Sequence, residues 1–526
     1  MERAANAVRP RLARTAAVVK PQVVRISRAT GPRVARIVRA AEPQVARVMR
    51  PKTWQYTAGA AGAGLALAAT VVTAAGPWDS SGQRTAERDW AAAREHVGGA
   101  DHGGDPGSAT AAGGPRPAPS AVSVLTGLGG SAGTLRAAPA TKALTAVLAP
   151  LLKDPALGAH QGAAVVDVTG GRRLYGTGSR AALTPASTTK IATAVAALSA
   201  LGADHRLTTR AAFEPDTGEV VLVGAGDPTL TAHRRSGGWA SLRTLADRTA
   251  AALEKRGVRE VTLSYDTTLY AGSEQHPIGP NDNLAPVSAL MVDEARTDDS
   301  ASGPVTRVPD PAAEAARTFA TLLRAHGITA TSPGPSKATG RAEPLAAVSS
   351  PPLSALVERM LTNSDNDIAE ALARQTAVAA GGRADFAGGA AAVRARLKKL
   401  GLPLSGADFH DGSGLDRADR LTADLLTALL VKAGDPSRPE LRPVLTGLPV
   451  AGFTGTLSSR YTQGAAGVVR AKTGTLTGVN SLAGTVVDQD GHLLAFAFLA
   501  SGTTDPAAAQ SALDRAATAL AGCGCG

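Results

Sequence analysis

The chain predicts an α+β (α/β) fold: an antiparallel sheet flanked by helices, with one smaller α/β domain inserted. Three observations carry that prediction. The last sixty residues hold three strand-like runs in close succession, Val468–Ala471, Ser481–Val487 and Leu493–Leu499, closed by a helical run at 506–520. Long helix-periodic segments precede them at 353–379, 386–400 and 421–432. Between 206 and about 308, short apolar strands such as Val220–Val223 and Val261–Ser264 alternate with loops and a helix near 240–255, the pattern of a small α/β unit.

The segments follow in order. Residues 1–56 form a basic arm in which Pro10, Pro21, Pro32 and Pro43 stand eleven apart, each opening a phrase such as Pro-Gln-Val-Ala-Arg. This reads as short basic amphipathic helices, each started by a Pro at its first position, or as a solvated positive arm. The first 52 residues carry 13 Lys and Arg against Glu2 and Glu42, which is the whole formal excess of +11. The remainder is net neutral, so the charge does not argue for nucleic acid.

Residues 57–76, Thr57 to Gly76, hold no charge and are long enough to cross a bilayer as a signal anchor. The basic arm ahead of them places the amino terminus inside and everything later outside. A small-residue cleavage site at Val72–Ala74 keeps secretion open as the alternative. Residues 77–139, rich in Gly, Ala, Ser and Pro, read as a flexible linker. Within it Gly129-Gly-Ser131-Ala-Gly133 matches a hydrolase elbow pattern but lacks the strand and helix that the pattern requires.

Regular structure begins near Thr141. Leu144–Leu152 is helical, Ala163–Val168 is a strand, and Gly170-Gly171 turns into Leu174-Tyr175. We assign 140–205 and 309–526 to one discontinuous domain and 206–308 to the insertion. The only cysteines, Cys523 and Cys525, provide neither a disulfide framework nor a zinc-ligand set, and no metal or cofactor is expected.

Chemistry concentrates in three strings: Ser187-Thr-Thr-Lys190, Ser364-Asp-Asn366 and Lys472-Thr-Gly474. Only 11 of the 55 basic residues are Lys, yet Lys stands at both motif positions. Arg cannot release a proton at working pH, whereas a buried Lys can. Three residues apart at a helix start, Lys190 reaches the Ser187 hydroxyl, and burial lowers its pKa so that the neutral amine can take the serine proton.

The other two strings surround that pair. Ser364 and Asn366 interrupt an amphipathic helix with polar groups, suited to proton relay and to holding Lys190 and a substrate amide. A capping cluster at a helix break is the structural alternative. Lys472 and Thr473 suit a terminal carboxylate, Gly474 clears the backbone for a substrate strand, and the backbone N–H groups of Ser187 and Thr475 suit an oxyanion.

With these motifs in this order the chain resembles the penicillin-binding proteins, in particular the low-molecular-mass class C D-alanyl-D-alanine carboxypeptidase/endopeptidase family of the DacB type. Further phrases carry the likeness, among them Leu222–Leu230, Ala285–Leu290, Asp411-Gly-Ser-Gly-Leu415 and Gly455-Thr-Leu457, over roughly 140–520. The resemblance implies a serine β-lactamase/penicillin-binding-protein transpeptidase-like fold. It implies Ser187 as acyl-enzyme nucleophile, Lys190 as base, Ser364 and Asn366 as partners, and Lys472 with Thr473 as carboxylate site. It also implies peptidoglycan peptides ending in D-Ala-D-Ala as substrate and β-lactams as covalent inhibitors.

Members usually carry two nested domains between the first two motifs. The 177-residue interval from Ser187 to Ser364 leaves room for one, with the loss between about Asp293 and Pro309. Two other readings stand beside this one. A serine β-lactamase shares the three motifs, but a class A enzyme also needs a Glu-x-x-Leu-Asn string downstream of Asn366, and none is present. A catalytically silent, membrane-anchored wall-binding module is opposed by the intact Ser187, Lys190 and Lys472.

Overall fold

The computed structural model describes residues 140–524 apart from Ser332, Thr462 and Gln463. The basic arm, the span at 57–76, the linker and Cys525 lie outside the described residues. Among the described residues, no helix is long and apolar enough to cross a membrane.

The strands are β1 (His160–Asp167), β2 (Arg173–Thr177), β3 (Thr208–Glu214), β4 (Glu219–Val223), β5 (Glu260–Asp266), β6 (Thr329–Ala330), β7 (Gly334–Pro335), β8 (Glu343–Ser349), β9 (Val469–Leu476), β10 (Val479–Val487) and β11 (Leu493–Ser501). The α-helices are α1 (Thr141–Leu151), α2 (Thr189–Leu201), α3 (Leu242–Lys255), α4 (Pro311–Ala325), α5 (Leu353–Asn363), α6 (Asn366–Ala379), α7 (Phe386–Lys399), α8 (Ala423–Gly434), α9 (Pro443–Thr446) and α10 (Pro506–Ala521).

The first sheet runs β2-β1-β11-β10-β9, each pair antiparallel, so early strands close onto late ones, with Ala164 opposite Ala497 and Ala483 opposite Lys472. Side chains alternate across it. Ala163, Val165, Phe496 and Phe498 meet α1 and α10, while Ala164, Ala495, Ala497 and Leu499 meet α2 and α8. Small residues on that second face let α2 lie close against the sheet. From Thr189 to Leu198 every residue of α2 is buried, as expected of a helix apolar on nearly all sides.

The second sheet runs β6-β5-β4-β3-β8, with β7 beside β5. Strands β4, β5 and β6 run parallel to one another, linked through α3 and α4, while β3 is antiparallel to both β4 and β8. Helices α3 and α4 cover one face, with Leu245, Phe319 and Leu323 packed on Leu222, Val261 and Leu263.

Two expectations need correction. The inserted unit does not end at 308, because α4 packs on this sheet and β8 pairs with β3, Ser349 opposite Thr208. Nor is 353–379 one helix. It breaks at Ser364, whose φ of 59° is left-handed and closes α5, and Asp365 caps α6 by accepting from Ile368 N at 3.0 Å.

Phe319 is fully buried in the second core. Phe319→Ala removes that packing and costs about 3–5 kcal/mol. Urea denaturation of the full chain should show a lowered midpoint; an unmoved midpoint contradicts this packing.

Candidate active site

Ser187 sits in a 3-10 turn, Ala186–Thr188, that runs directly into α2. Ala186 has a φ of 49°, a conformation that costs a non-glycine residue of order 1 kcal/mol and collects at functional sites. The turn is wedged between two glycines. A Cβ on Gly414 would lie 2.0 Å from Ala186 O, and one on Gly474 would lie 2.6 Å from Pro185 O and 2.1 Å from Ser481 Oγ. Gly474 is therefore required by the turn carrying Ser187, a need that the sequence, which suggested clearance for a substrate strand, did not show. Ser481 Oγ, opposite Gly474 in the sheet, donates to Pro185 O at 2.7 Å and ties the turn to β10.

Lys190 is wholly buried, and its Nζ lies 3.0 Å from Ser187 Oγ, 2.6 Å from Asn366 Oδ1 and 2.8 Å from Ser413 O. Burial brings its pKa down to about 8, against the opposing pull of Asp411, Glu370, Asp365 and Asp367. A neutral amine has two N–H groups and one lone pair. With the N–H groups directed at Asn366 Oδ1 and Ser413 O, the lone pair is left for the Ser187 hydroxyl. The Asn366 amide is oriented by its Nδ2, which donates to Asn283 O at 2.9 Å.

Lys472 is also fully buried, and its Nζ donates to Thr473 O at 2.7 Å. Burial pushes its pKa well below the ordinary lysine range, assisted by Lys190 and Arg460. Thr473 Oγ1 donates to Thr456 Oγ1 at 3.0 Å.

Ser187, Ser364, Asn366, Thr473 and Thr475 line one cavity of about 300 Å³, so all three motifs converge. Among the described residues, Ser364 Oγ has no hydrogen-bond partner, and it faces this space without touching Lys190. Strand β9 is the sheet's edge, so beyond Lys472 its outer side is open to a substrate chain.

A family profile described as D-Ala-D-Ala carboxypeptidase 3 (S13) matches residues 144–305 and 298–520. Carboxypeptidase DacB of Mycolicibacterium smegmatis is 37% identical over 410 residues, 74% of this chain and 86% of its own length. A D-alanyl-D-alanine carboxypeptidase of Actinomadura sp. is 32% identical over 445 residues, 68% of this chain and 80% of its own.

The chain belongs to the D-Ala-D-Ala carboxypeptidase S13 family. It is a serine-type D-Ala-D-Ala carboxypeptidase. The fold agrees: the crystal structure of penicillin binding protein 4 from Haemophilus influenzae superposes with a TM-score of 0.57 at 22% identity, covering 71% of this chain and 97% of that one. The two segments of the family match meet at 298–305, within the stretch where the sequence placed the missing domain.

In this carboxypeptidase that stretch became part of the site. Arg296, Ser302, Gly303 and Arg307 line the catalytic cavity. Asp293, Glu294 and Ala295 have φ of 50°, 54° and 52°, turning the chain inward so that Glu294 is buried. Arg296 and Arg359 pair with Glu294, Arg359 also pairs with Asp365 at 3.4 Å, and Arg307 bonds Asp367 Oδ2 at 2.8 Å. Burial and Asp365 push the Glu294 carboxyl up to about 9. These guanidinium groups offset the carboxylates that flank Asn366.

The stretch Asp411-Gly-Ser-Gly-Leu415 has a role that its residue types do not reveal. Asp411 accepts from Gly414 N at 2.6 Å, Asp416 N at 2.7 Å and His276 Nε2 at 3.2 Å. Glu370, one helical turn after Asn366 on the same face of α6, accepts from Ser413 N at 2.8 Å and Gly412 N at 3.1 Å. His276 Nδ1 accepts from Ile278 N at 3.2 Å, so its proton sits on Nε2, facing Asp411. Two buried acids thus fold the loop that presents Ser413 O to Lys190. His276, Glu370 and Asp411 place three donor atoms within 4.8 Å of one another, but their lone pairs already face N–H groups, an arrangement that suits a knot better than a metal ion.

Acylation of Ser187 should rise with pH to a plateau above about 8, because only the neutral form of Lys190 has a lone pair to take a proton. Asp411 is the largest influence holding that pKa up, so Asp411→Asn should move the midpoint toward acid. Rates of acylation by a fluorescent penicillin from pH 6 to 10 test both; a flat profile contradicts the assignment. Gly474→Ala, by displacing the Ser187 turn, should lower the same rate at least about 100-fold at every pH.

Proposed function

We propose that Ser187 is the nucleophile and Lys190 the general base of a D,D-carboxypeptidase acting on peptidoglycan stem peptides. The observation that carries this reading is the buried amine of Lys190, held by Asn366 Oδ1 and Ser413 O with Ser187 Oγ at 3.0 Å. Lys190 takes the Ser187 proton as Oγ attacks the carbonyl carbon of the penultimate D-alanine. The oxyanion is met by the backbone N–H groups of Ser187 and Thr475, a type of interaction worth about 3 kcal/mol per donor.

Collapse breaks the C–N bond. The proton on Lys190 goes to the departing amine, for which the Ser364 hydroxyl lining the same cavity serves as relay once the bound substrate draws it into reach of Lys190, and D-alanine leaves. Water then attacks the ester, Lys190 takes its proton, and Ser187 Oγ is released with that proton restored. Thr473, which lines the cavity, meets the terminal carboxylate, and the buried Lys472 behind it supplies the positive charge. An anion arriving there stabilises the Lys472 ammonium that burial otherwise disfavours, so binding the carboxylate draws a proton to that residue. Gly474 keeps the Ser187 turn in reach of that subsite. β-Lactams acylate the same oxygen.

The chain works outside the cytoplasmic membrane, tethered by residues 57–76. The uncharged run behind a basic arm supports this, and both lie outside the described residues.

A fluorescent penicillin should label the full chain, and Ser187→Ala should abolish the label; a variant that still labels contradicts the nucleophile. Release of D-alanine from a peptide ending in D-Ala-D-Ala should fall at least about 100-fold in Lys190→Ala. Mass spectrometry of cross-linked wall fragments in the same assay reads D,D-endopeptidase cutting. Penicillin hydrolysis without D-alanine release would replace this reading with a β-lactamase.

A further inference from the structure

Helices α3 and α4 cover only one face of the second sheet. Ala211 on β3, Leu222 on β4 and Leu263 on β5 point into the core under α3 and α4, so their neighbours Arg210, Val223 and Ser264 point the other way. Over that face the loop at 336–342 is tied down by Thr339, which donates from N and from Oγ1 to Glu214 at 2.7 Å, and by Ala338 N, which donates to Asp266 Oδ2 at 3.1 Å. The space enclosed is a half-open cavity of about 660 Å³, more than twice the catalytic one.

Its charge is one-sided. Arg206, Arg210 and Lys337 line it, and among the described residues neither the Arg210 nor the Lys337 side chain has a hydrogen bond or ion pair, both being exposed. Arg206 uses one nitrogen on Ser350 O at 2.7 Å. The single carboxylate in the lining, Asp266, has both oxygens occupied by the backbone N–H groups of Thr268, at 2.8 Å, and Ala338. Unpaired cations around a concave site favour an oxyanion.

Helix α6 links this cavity to the catalytic one. Asn366 begins the helix, and Gln375, nine residues on, lines the second cavity while its Nε2 donates to Ala225 O at 2.7 Å. Nine helical residues span about 14 Å, which an extended chain of about four residues also spans.

We propose that this cavity is a second binding site, for a carboxylate- or phosphate-bearing strand of the wall polymer whose peptide end enters the catalytic cavity. The site would hold polymeric substrate and be idle for a short peptide. The inference rests on the substrate reading above.

The test compares the full chain with its Arg210→Glu/Lys337→Glu variant. Three binding probes are used: soluble uncross-linked peptidoglycan strands, the same strands with carboxyl groups amidated, and poly(glycerol phosphate). An N-acetylated tripeptide ending in D-Ala-D-Ala measures turnover. Affinity of the variant for the intact strands should fall at least about tenfold. Amidated strands should bind the variant and the unaltered chain alike, and tripeptide turnover of the variant should stay within about twofold of the unaltered chain. A variant-sensitive affinity for poly(glycerol phosphate) alone would identify phosphate as the source of the anion. Equal affinity of variant and unaltered chain for both anionic probes overturns the proposal. Failure of both proteins to turn over the tripeptide overturns the carboxypeptidase reading instead, and the binding comparison remains readable.

Discussion

A lysine amine with no exposure to solvent is the constraint around which this molecule is organised. Lys190 reaches Ser187, Asn366 and Ser413, which belong to three separate stretches of chain, and each stretch is held by its own packing. Helix α2 is buried on nearly all sides, so Lys190 in its first turn has little freedom to move. Desolvation makes the neutral amine accessible near physiological pH, whereas an exposed lysine would stay charged.

That arrangement brings a conflict, since Glu370, Asp411, Asp365 and Asp367 all lie close enough to favour the ammonium form. Their presence has a structural reason. Glu370 and Asp411 accept the backbone N–H groups of residues 412–416 and so hold Ser413 O in place. Asp365 caps α6, and Asp367 accepts Ala285 N at 2.9 Å. Each carboxylate has its own donors or an arginine, and the field reaching Lys190 is correspondingly reduced. The amine remains depressed because burial outweighs what the acids add.

The inserted unit touches this machinery at two places. The strap from Asp293 to Arg307 forms a wall of the catalytic cavity, with guanidinium groups clamped on Glu294 and Asp367. Helix α6 starts at the catalytic cavity with Asn366 and passes the larger cavity at Gln375. A rigid helix shared by both gives a fixed spacing, which suits a polymer better than a small substrate.

Sequence alone determined the motif residues, their order, the antiparallel strands at the end of the chain and the shortened interval between the first two motifs. Those features are local or compositional, and the pairing of Ser187 with Lys190 follows from helical spacing. Tertiary structure decided the rest. A break at Ser364 was legible only as the alternative to one continuous helix, because apolar periodicity resumes beyond the polar cluster, and the left-handed Ser364 with the Asp365 cap decided it. The reach of the inserted sheet to Ser349 depends on pairing between β3 and β8, well over a hundred residues apart. Gly474 was read as room for substrate, yet the atoms it must avoid belong to Pro185 and Ser481. The role of Ser413 depends on a backbone carbonyl, which every residue has, so only the fold could single it out.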